Sequence, residues 1–293
     1  MWQESEHKLS PRKNRLTVIS LSLISRLGVR KMLCLYHAPP SVCAMKVRLV
    51  LKEKGLPWDG KILDLRRGDQ FDQEYRKLNP NSVVPTLVDD GRVVVESTVI
   101  IEYLNEAFPS PALMSADPYQ RAVARLWMKK IDDYLHGACA TLTFAIAFRP
   151  LLLKKTHEEL ETRFAAIPDP AMRERQRQAV MHGVEAPDGL LALRNYERFI
   201  GEMEQTLARS PYIAGGSYSL ADAAATPYIH RTEMLAMDRL WAGRRPHVAD
   251  WYDRVRQRPS FEEGITRYIT ESVRAHFDVP RDETWQKISQ LLA

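Results

Sequence analysis

The spacing of apolar residues changes its period once, near Pro109, and that change constrains the fold more than any other feature. Before it, short alternating or continuous apolar runs are interleaved with short helical stretches. After it, every periodic segment repeats at the spacing of a helix. A chain divided in this way is expected to build an α/β domain first and an all-α domain second, and 293 residues suffice for both cores. The expected domains are 32–112 and 118–276, joined by the proline-containing segment SPALMSADP.

In the first part, LCLYH at 33–37 reads as a buried strand. A Pro-Pro turn then leads into a helix with Ala44, Val47, Val50 and Leu51 on one face, which Gly55 is placed to end. Residues 58–65 read as a second strand, followed by a polar helical stretch to Leu78 and the turn Asn79-Pro80-Asn81. Asp90-Gly91 joins two strand-like runs as a hairpin, because glycine tolerates the positive φ that tight turns require. Ile100, Ile101, Leu104 and Phe108 then repeat at helical spacing until Pro109. The order is βαβαββα.

The second part announces several helix starts. Thr156 with Glu159 and Ser260 with Glu263 fit the reciprocal capping box, and Ser219 with Asp222 is an acidic variant of it. Leu193, Tyr196, Ile200, Met203 and Leu207 form the apolar stripe of a long helix between Asp188 and Arg209.

Composition limits the function classes. The net charge of +5 comes from 42 basic and 37 acidic residues that are interleaved, so no nucleic acid partner is expected. Cys34, Cys43 and Cys139 have no paired spacing, which points to a reducing, cytoplasmic compartment rather than to disulfides. No uncharged apolar run approaches the ~20 residues of a bilayer span, and no membrane partner is expected. Residues 1–31 are basic and Ser-rich without a small-residue cleavage site, which reads as a disordered extension rather than a targeting peptide. His157-Glu158-Glu159-Leu160 is not HExxH and no His/Cys cluster has ligand spacing, so no metal is expected.

Chemistry concentrates at helix starts. Ser41-Val42-Cys43-Ala44 places a hydroxyl and a thiol at a strand-to-helix junction, where unpaired N–H groups and the helix dipole favour an anion. The plainer alternative is that Ser41 only caps the helix and Cys43 only packs. Glu96-Ser97 opens another helix and offers an acceptor for an ammonium beside donors for a carboxylate, the two ends of an α-amino acid. Val84-Pro85 makes a turn in either peptide isomer.

Taken together, LYHAPPSVCAMKVRLVLKEKGL, NPNSVVPTL, VESTVIIEYL and YIAGGSYSLADAA resemble the glutathione transferase superfamily, over residues 32–269. The resemblance implies a thioredoxin-like glutathione-binding domain followed by an all-helical domain, glutathione as cosubstrate, a homodimer, and detoxifying transfer of glutathione to a small hydrophobic electrophile. It implies a cis Pro85 that lets the Val84 backbone meet the cysteinyl part of glutathione, with Glu96 and Ser97 holding the γ-glutamyl end and Gln70 near the glycyl carboxylate. Ser41 falls at the catalytic serine of zeta-like members, where omega-like members have cysteine. Cys43 completes a Ser-x-Cys pair, with Ala44 in place of a second hydroxyl. Asp222 is implied as a folding element.

The Ser-x-Cys pair and the lengthened segment 143–183 are similar to a bacterial group of reductive dehalogenases and β-aryl etherases, and maleyl isomerisation is a further alternative. In that group's manner, Cys43 would attack a glutathionyl adduct and form a mixed disulfide. An electrophile pocket between the domains is expected from Tyr134, Phe144 and Arg149. A reading of another class, a non-catalytic regulatory or assembly protein on the same fold, stays open.

Overall fold

The computed structural model describes residues 32–293, so the expected N-terminal extension lies outside the described residues. A four-stranded sheet is ordered β2-β1-β3-β4. β1 (Leu33–His37) runs parallel to β2 (Trp58–Ile62) and antiparallel to β3 (Thr86–Asp89), which pairs with β4 (Arg92–Val95) through the Asp90-Gly91 turn. Helices α1 (Val42–Glu53), α2 (Gln73–Leu78) and α3 (Ser97–Ala107) complete the expected βαβαββα order. Leu33 and Leu35 are buried while Cys34 and Tyr36 are only half-buried, the alternation of a strand with one face on a core. Gly55 ends α1 at φ +61°, with the Leu56 N–H returning to the Leu51 carbonyl at 3.0 Å.

Two expectations are corrected here. β2 stops at Ile62 rather than Leu65, on an exposed sheet edge. The polar helical stretch is broken into a single turn at Asp69–Phe71, entered through Gly68 at φ +87°, and the separate α2.

Beyond the linker the described residues are helical: α4 (Pro118–Leu152), α5 (His157–Ala165), α6 (Pro170–His182), α7 (Pro187–Leu207), α8 (Leu220–Met234), α9 (Pro246–Arg256), α10 (Pro259–Gly264), α11 (Glu271–Arg274) and α12 (Arg281–Leu292). The expected stripe of α7 is fully buried against α4 and α9. α4 spans 35 residues and widens to i→i+5 hydrogen bonding at Ile131–Leu135 and Thr143–Phe148. By length and composition it would satisfy a membrane span, which the sequence reading did not expect. Half of its apolar window is buried inside the fold, as in a core helix.

Capping follows the sequence at two of three sites. The Thr156 hydroxyl accepts from the Glu159 N–H at 3.2 Å and the Glu159 carboxylate from the Thr156 N–H at 2.8 Å. The buried Asp222 carboxylate accepts from the Ser219 N–H (2.9 Å), the Ser219 hydroxyl (2.9 Å), the Ile213 N–H (3.1 Å) and the Trp251 indole (2.9 Å). Ser260 with Glu263 does not form a box. α10 starts at Pro259, Ser260 donates instead to Glu53 at 2.5 Å, and Glu263 pairs with Arg267 and Lys52.

α1 departs most from its one-faced pattern. Ala44, Val47, Val50 and Leu51 are buried as expected, but so are Met45, Lys46, Arg48 and Leu49, because α8 and α10 cover the side away from the sheet. Arg48 donates to the carbonyls of Gly264 (2.7 Å), Ala38 (3.2 Å) and Pro39 (3.1 Å), with Tyr268 over its guanidinium. A side chain at Gly264 would meet the α1 backbone at 3.0 Å from the Leu49 nitrogen, so glycine permits the contact.

Candidate active site

The β1–α1 turn delivers Ser41 to the start of α1, where its extended backbone (φ −72°, ψ 118°) lets the hydroxyl accept from the Ala44 N–H at 3.2 Å. The plain capping role is therefore met. A hydroxyl that accepts through a lone pair still has its hydrogen to give to a second partner.

The Val84–Pro85 peptide is cis. Its loop is pinned from beneath: the Tyr75 hydroxyl donates to the Val83 carbonyl at 2.5 Å and the Asn79 amide to the same oxygen at 3.0 Å. Val84 packs with Ala38 and Tyr75 in a small buried cluster, which fixes the loop against the turn that carries Ser41. Next along the chain, Glu96 is exposed at φ +67° and makes no capping bond at the start of α3. A non-glycine residue held in that region stores strain of ~1–3 kcal/mol, a mark of functional sites. Ser97 is buried at the start of α3, one residue before Thr98, whose hydroxyl accepts from Lys46 of α1 at 3.2 Å.

Cys43 is half-buried at the meeting of three helices. Its Sγ lies 3.6 Å from His136 Nδ1 on α4 and 3.9 Å from the Tyr228 hydroxyl on α8, and that hydroxyl is 3.1 Å from the same imidazole nitrogen. Burial pushes the thiol up, but the His136 charge and hydrogen bond, together with Lys46, outweigh it and bring the pKa from 9.0 down to about 6. The Cys43 thiolate in turn raises His136, against the opposing effect of burial. Lys46 is buried and bonded to Thr98 (3.2 Å) and Asp132 (3.3 Å).

Sequence reasoning missed His136, Lys46 and Tyr228. The signal present was a stripe of Asp132, His136, Cys139 and Thr143 at i, i+4, i+7 and i+11, which runs along one side of α4 into its buried apolar half.

The remaining expected residues divide. Gln70 is buried, with its amide 3.5 Å from the Leu65 carbonyl and its Oε1 without a partner among the described residues. Phe144 packs on Phe148, Phe148 on Phe277 and Phe277 under Arg231, which donates to the Pro40 carbonyl beside Ser41. Phe144 and Phe148 also join a second core cluster of the lengthened segment that includes Phe71, the neighbour of Gln70.

Tyr134 and Arg149 are not brought to Ser41. Tyr134 is two residues from His136 and so faces the opposite side of α4, against Phe199 and under Arg198. Arg149 donates to the Met181 carbonyl at 3.3 Å and lies against Gly183 at the α4–α6 contact. Among the described residues no group of three His, Cys, Asp or Glu side chains could hold a metal ion.

Two family descriptions match this arrangement: glutathione S-transferase N-terminal domain over residues 40–107 and glutathione S-transferase C-terminal domain over 158–254. The chain belongs to the glutathione S-transferase family. Protein LigF of Sphingobium sp. (strain NBRC 103272 / SYK-6) is 32% identical over 237 residues, which cover 78% of this chain and 91% of that protein. The tetrachloro-p-hydroquinone reductive dehalogenase of Sphingobium chlorophenolicum is 32% identical over 242 residues, covering 78% and 93%. The crystal structure of beta-etherase LigF from Sphingobium sp. strain SYK-6 superposes with a TM-score of 0.74 at 29% identity, covering 80% of this chain and 99% of that one.

Proposed function

We propose that the chain binds glutathione across the Ser41 turn, the cis Val84–Pro85 loop and the start of α3, and transfers its sulfur to a small hydrophobic electrophile. The observation that carries this reading is the convergence of those three segments: α3, which Ser97 opens, packs on α1 and bonds Lys46 through Thr98, while Val84 packs on Ala38, three residues before Ser41. Glu96 and Ser97 receive the γ-glutamyl end and the Val84 backbone the cysteinyl part. Gln70, whose amide N–H has only a long 3.5 Å bond to the Leu65 carbonyl, turns that donor to the glycyl carboxylate.

Ser41 activates the sulfur. A thiol with a reference pKa of about 8.5 is only ~3% thiolate at pH 7, and a two-unit fall, worth about 2.7 kcal/mol, raises this to roughly three quarters. A hydrogen bond to a charged sulfur contributes about 1.5–3 kcal/mol and the helix terminus ~0.3–1 more. Their sum covers the shift without a metal.

The electrophile sits under the lengthened segment, where Phe144, Phe148 and Phe71 pack against one apolar cluster. The names of two relatives, a beta-etherase and a reductive dehalogenase, make aryl ethers and halogenated hydroquinones the first compounds to try. Three free cysteines fit a cytoplasmic location. A homodimer is supported by Val93, Val99, Tyr119 and Leu126, exposed on β4, α3 and the first turns of α4.

The test is retention on immobilised glutathione followed by turnover of an aryl ether, an activated aryl halide, a maleyl compound and a disulfide. Turnover of one or more supports the assignment, while retention without turnover favours the non-catalytic binding protein.

A further inference from the structure

We propose that Cys43 and His136 form a standing thiolate–imidazolium pair, so that the protein carries a sulfur nucleophile of its own beside the glutathione site, with His136 as its positioning residue. The proton of the Cys43 thiol passes to Nδ1 of His136; one S–H bond breaks, one N–H bond forms, and the pair stays neutral as a whole. Sγ stands 3.6 Å from Nδ1 and 4.0 Å from Nε2, within reach of both ring nitrogens with Nδ1 the nearer. Tyr228 holds the ring edge-on and places its hydroxyl 3.1 Å from Nδ1, which fixes the imidazole against the sulfur.

The surroundings favour the charged form. Lys46, on the same helix as Cys43, adds positive charge at the sulfur, and its own charge is shared with Asp132 and Thr98. At His136 the Cys43 thiolate and, less strongly, Asp132 favour the proton, while burial and Lys46 oppose it, with the net direction upward. Deeper in the core, Arg231 of α8 adds a buried guanidinium whose described bonds go to the Thr143 hydroxyl and the Pro40 carbonyl, not to a carboxylate. Cys139, on α4, is buried in an environment that raises its thiol, so it does not compete for the proton balance near neutral pH.

Two observations separate this arrangement from a cysteine that merely packs. The residue is only half-buried, and the nearest partner of its sulfur is a titratable base 93 residues away on α4, on the side that also carries Asp132, Cys139 and Thr143. The thiolate exists without glutathione, so the pair is tested in its absence, and its success or failure is separate from that of glutathione transfer.

The experiment uses the full chain free of glutathione and reductant. Thiolate absorbance is followed against pH, and the site is confirmed by the rate of carboxamidomethylation with iodoacetamide, in which an S–C bond forms and iodide leaves. The expected result is one thiol titrating near pH 6 that disappears in Cys43→Ser, and a midpoint about two units higher in His136→Gln. The midpoint is the deciding readout because a thiolate of higher pKa is more nucleophilic, which partly offsets its smaller population in a rate measured at one pH. Reciprocity supplies a second measurement: the imidazole of His136, followed by NMR, should titrate at lower pH in Cys43→Ser than in the parent chain. A Cys43 midpoint in the ordinary range near 8.5, or a midpoint that His136→Gln leaves in place, overturns the proposal. If His136→Gln does not fold, an unchanged His136 titration in Cys43→Ser overturns it alone.

Discussion

Among the described residues Ser41, Thr156, Ser219 and Thr270 each cap a helix, and the first three starts are finished differently. At α8, four donors converge on Asp222 in a fully buried cap, leaving no capacity for a ligand. At α5, Thr156 and Glu159 satisfy each other on an exposed surface. At α1, Ser41 gives its oxygen to one N–H and keeps its hydrogen, next to a strained and exposed Glu96 that caps nothing. The same chemical device thus serves the core when saturated inside the fold, does local work when saturated in water, and becomes available for binding when left incomplete at a junction of segments.

The largest expected effect belongs to the buried cap. Asp222→Ala leaves buried N–H groups of Ile213, Ser219 and Trp251 without their acceptor, at ~1–3 kcal/mol each, and should lower the unfolding free energy by about 3 kcal/mol or more in urea titration. An unchanged unfolding midpoint would break the contrast at its stronger end. Ser41→Ala should instead leave most stability in place and lower kcat/KM by about 10- to 100-fold, the loss of a bond to a charged sulfur, while raising the pKa in the pH–rate profile. An unchanged profile would assign Ser41 to capping alone. Smaller still, Glu96→Ala and Ser97→Ala should each weaken glutathione binding by about 1–3 kcal/mol in calorimetry. Wild-type affinity in both would remove α3 from the binding site. At the exposed start, Thr156→Ala should cost about 1 kcal/mol of stability with glutathione affinity intact, and a loss of affinity there would show that the three starts are not independent.

How much of this was legible in the sequence follows the range of the interactions. The hairpin at Asp90-Gly91, the α7 stripe, the Thr156 box and the Asp222 cap each depend on residues within a few positions of one another, and each was read correctly. Ser260 failed as a cap because a distant carboxylate, Glu53, offered it a buried partner that local pattern cannot reveal. At the site, the residues on short motifs were visible, whereas His136 and Tyr228 reach Cys43 across 93 and 185 residues. Tyr134 and Arg149 show the converse: the right helix was named, but only packing decides which side of α4 meets α1 and which meets α6 and α7.

The burial of α1 on both sides has a consequence for how the molecule comes apart. Its inward face completes the core of the sheet and its outward face, through Arg48, Gly264 and the Glu53–Arg258 pair, completes the core of the helices, so neither half owns the element that closes it. The boundary drawn through the linker is a boundary of chain, not of cooperativity. The thioredoxin-like half made alone would expose one wall of α1, and the helical half alone would lack it. The whole chain is therefore expected to melt in a single transition, and glutathione bound on the sheet side would protect α9 and α10 from hydrogen exchange as effectively as it protects β1.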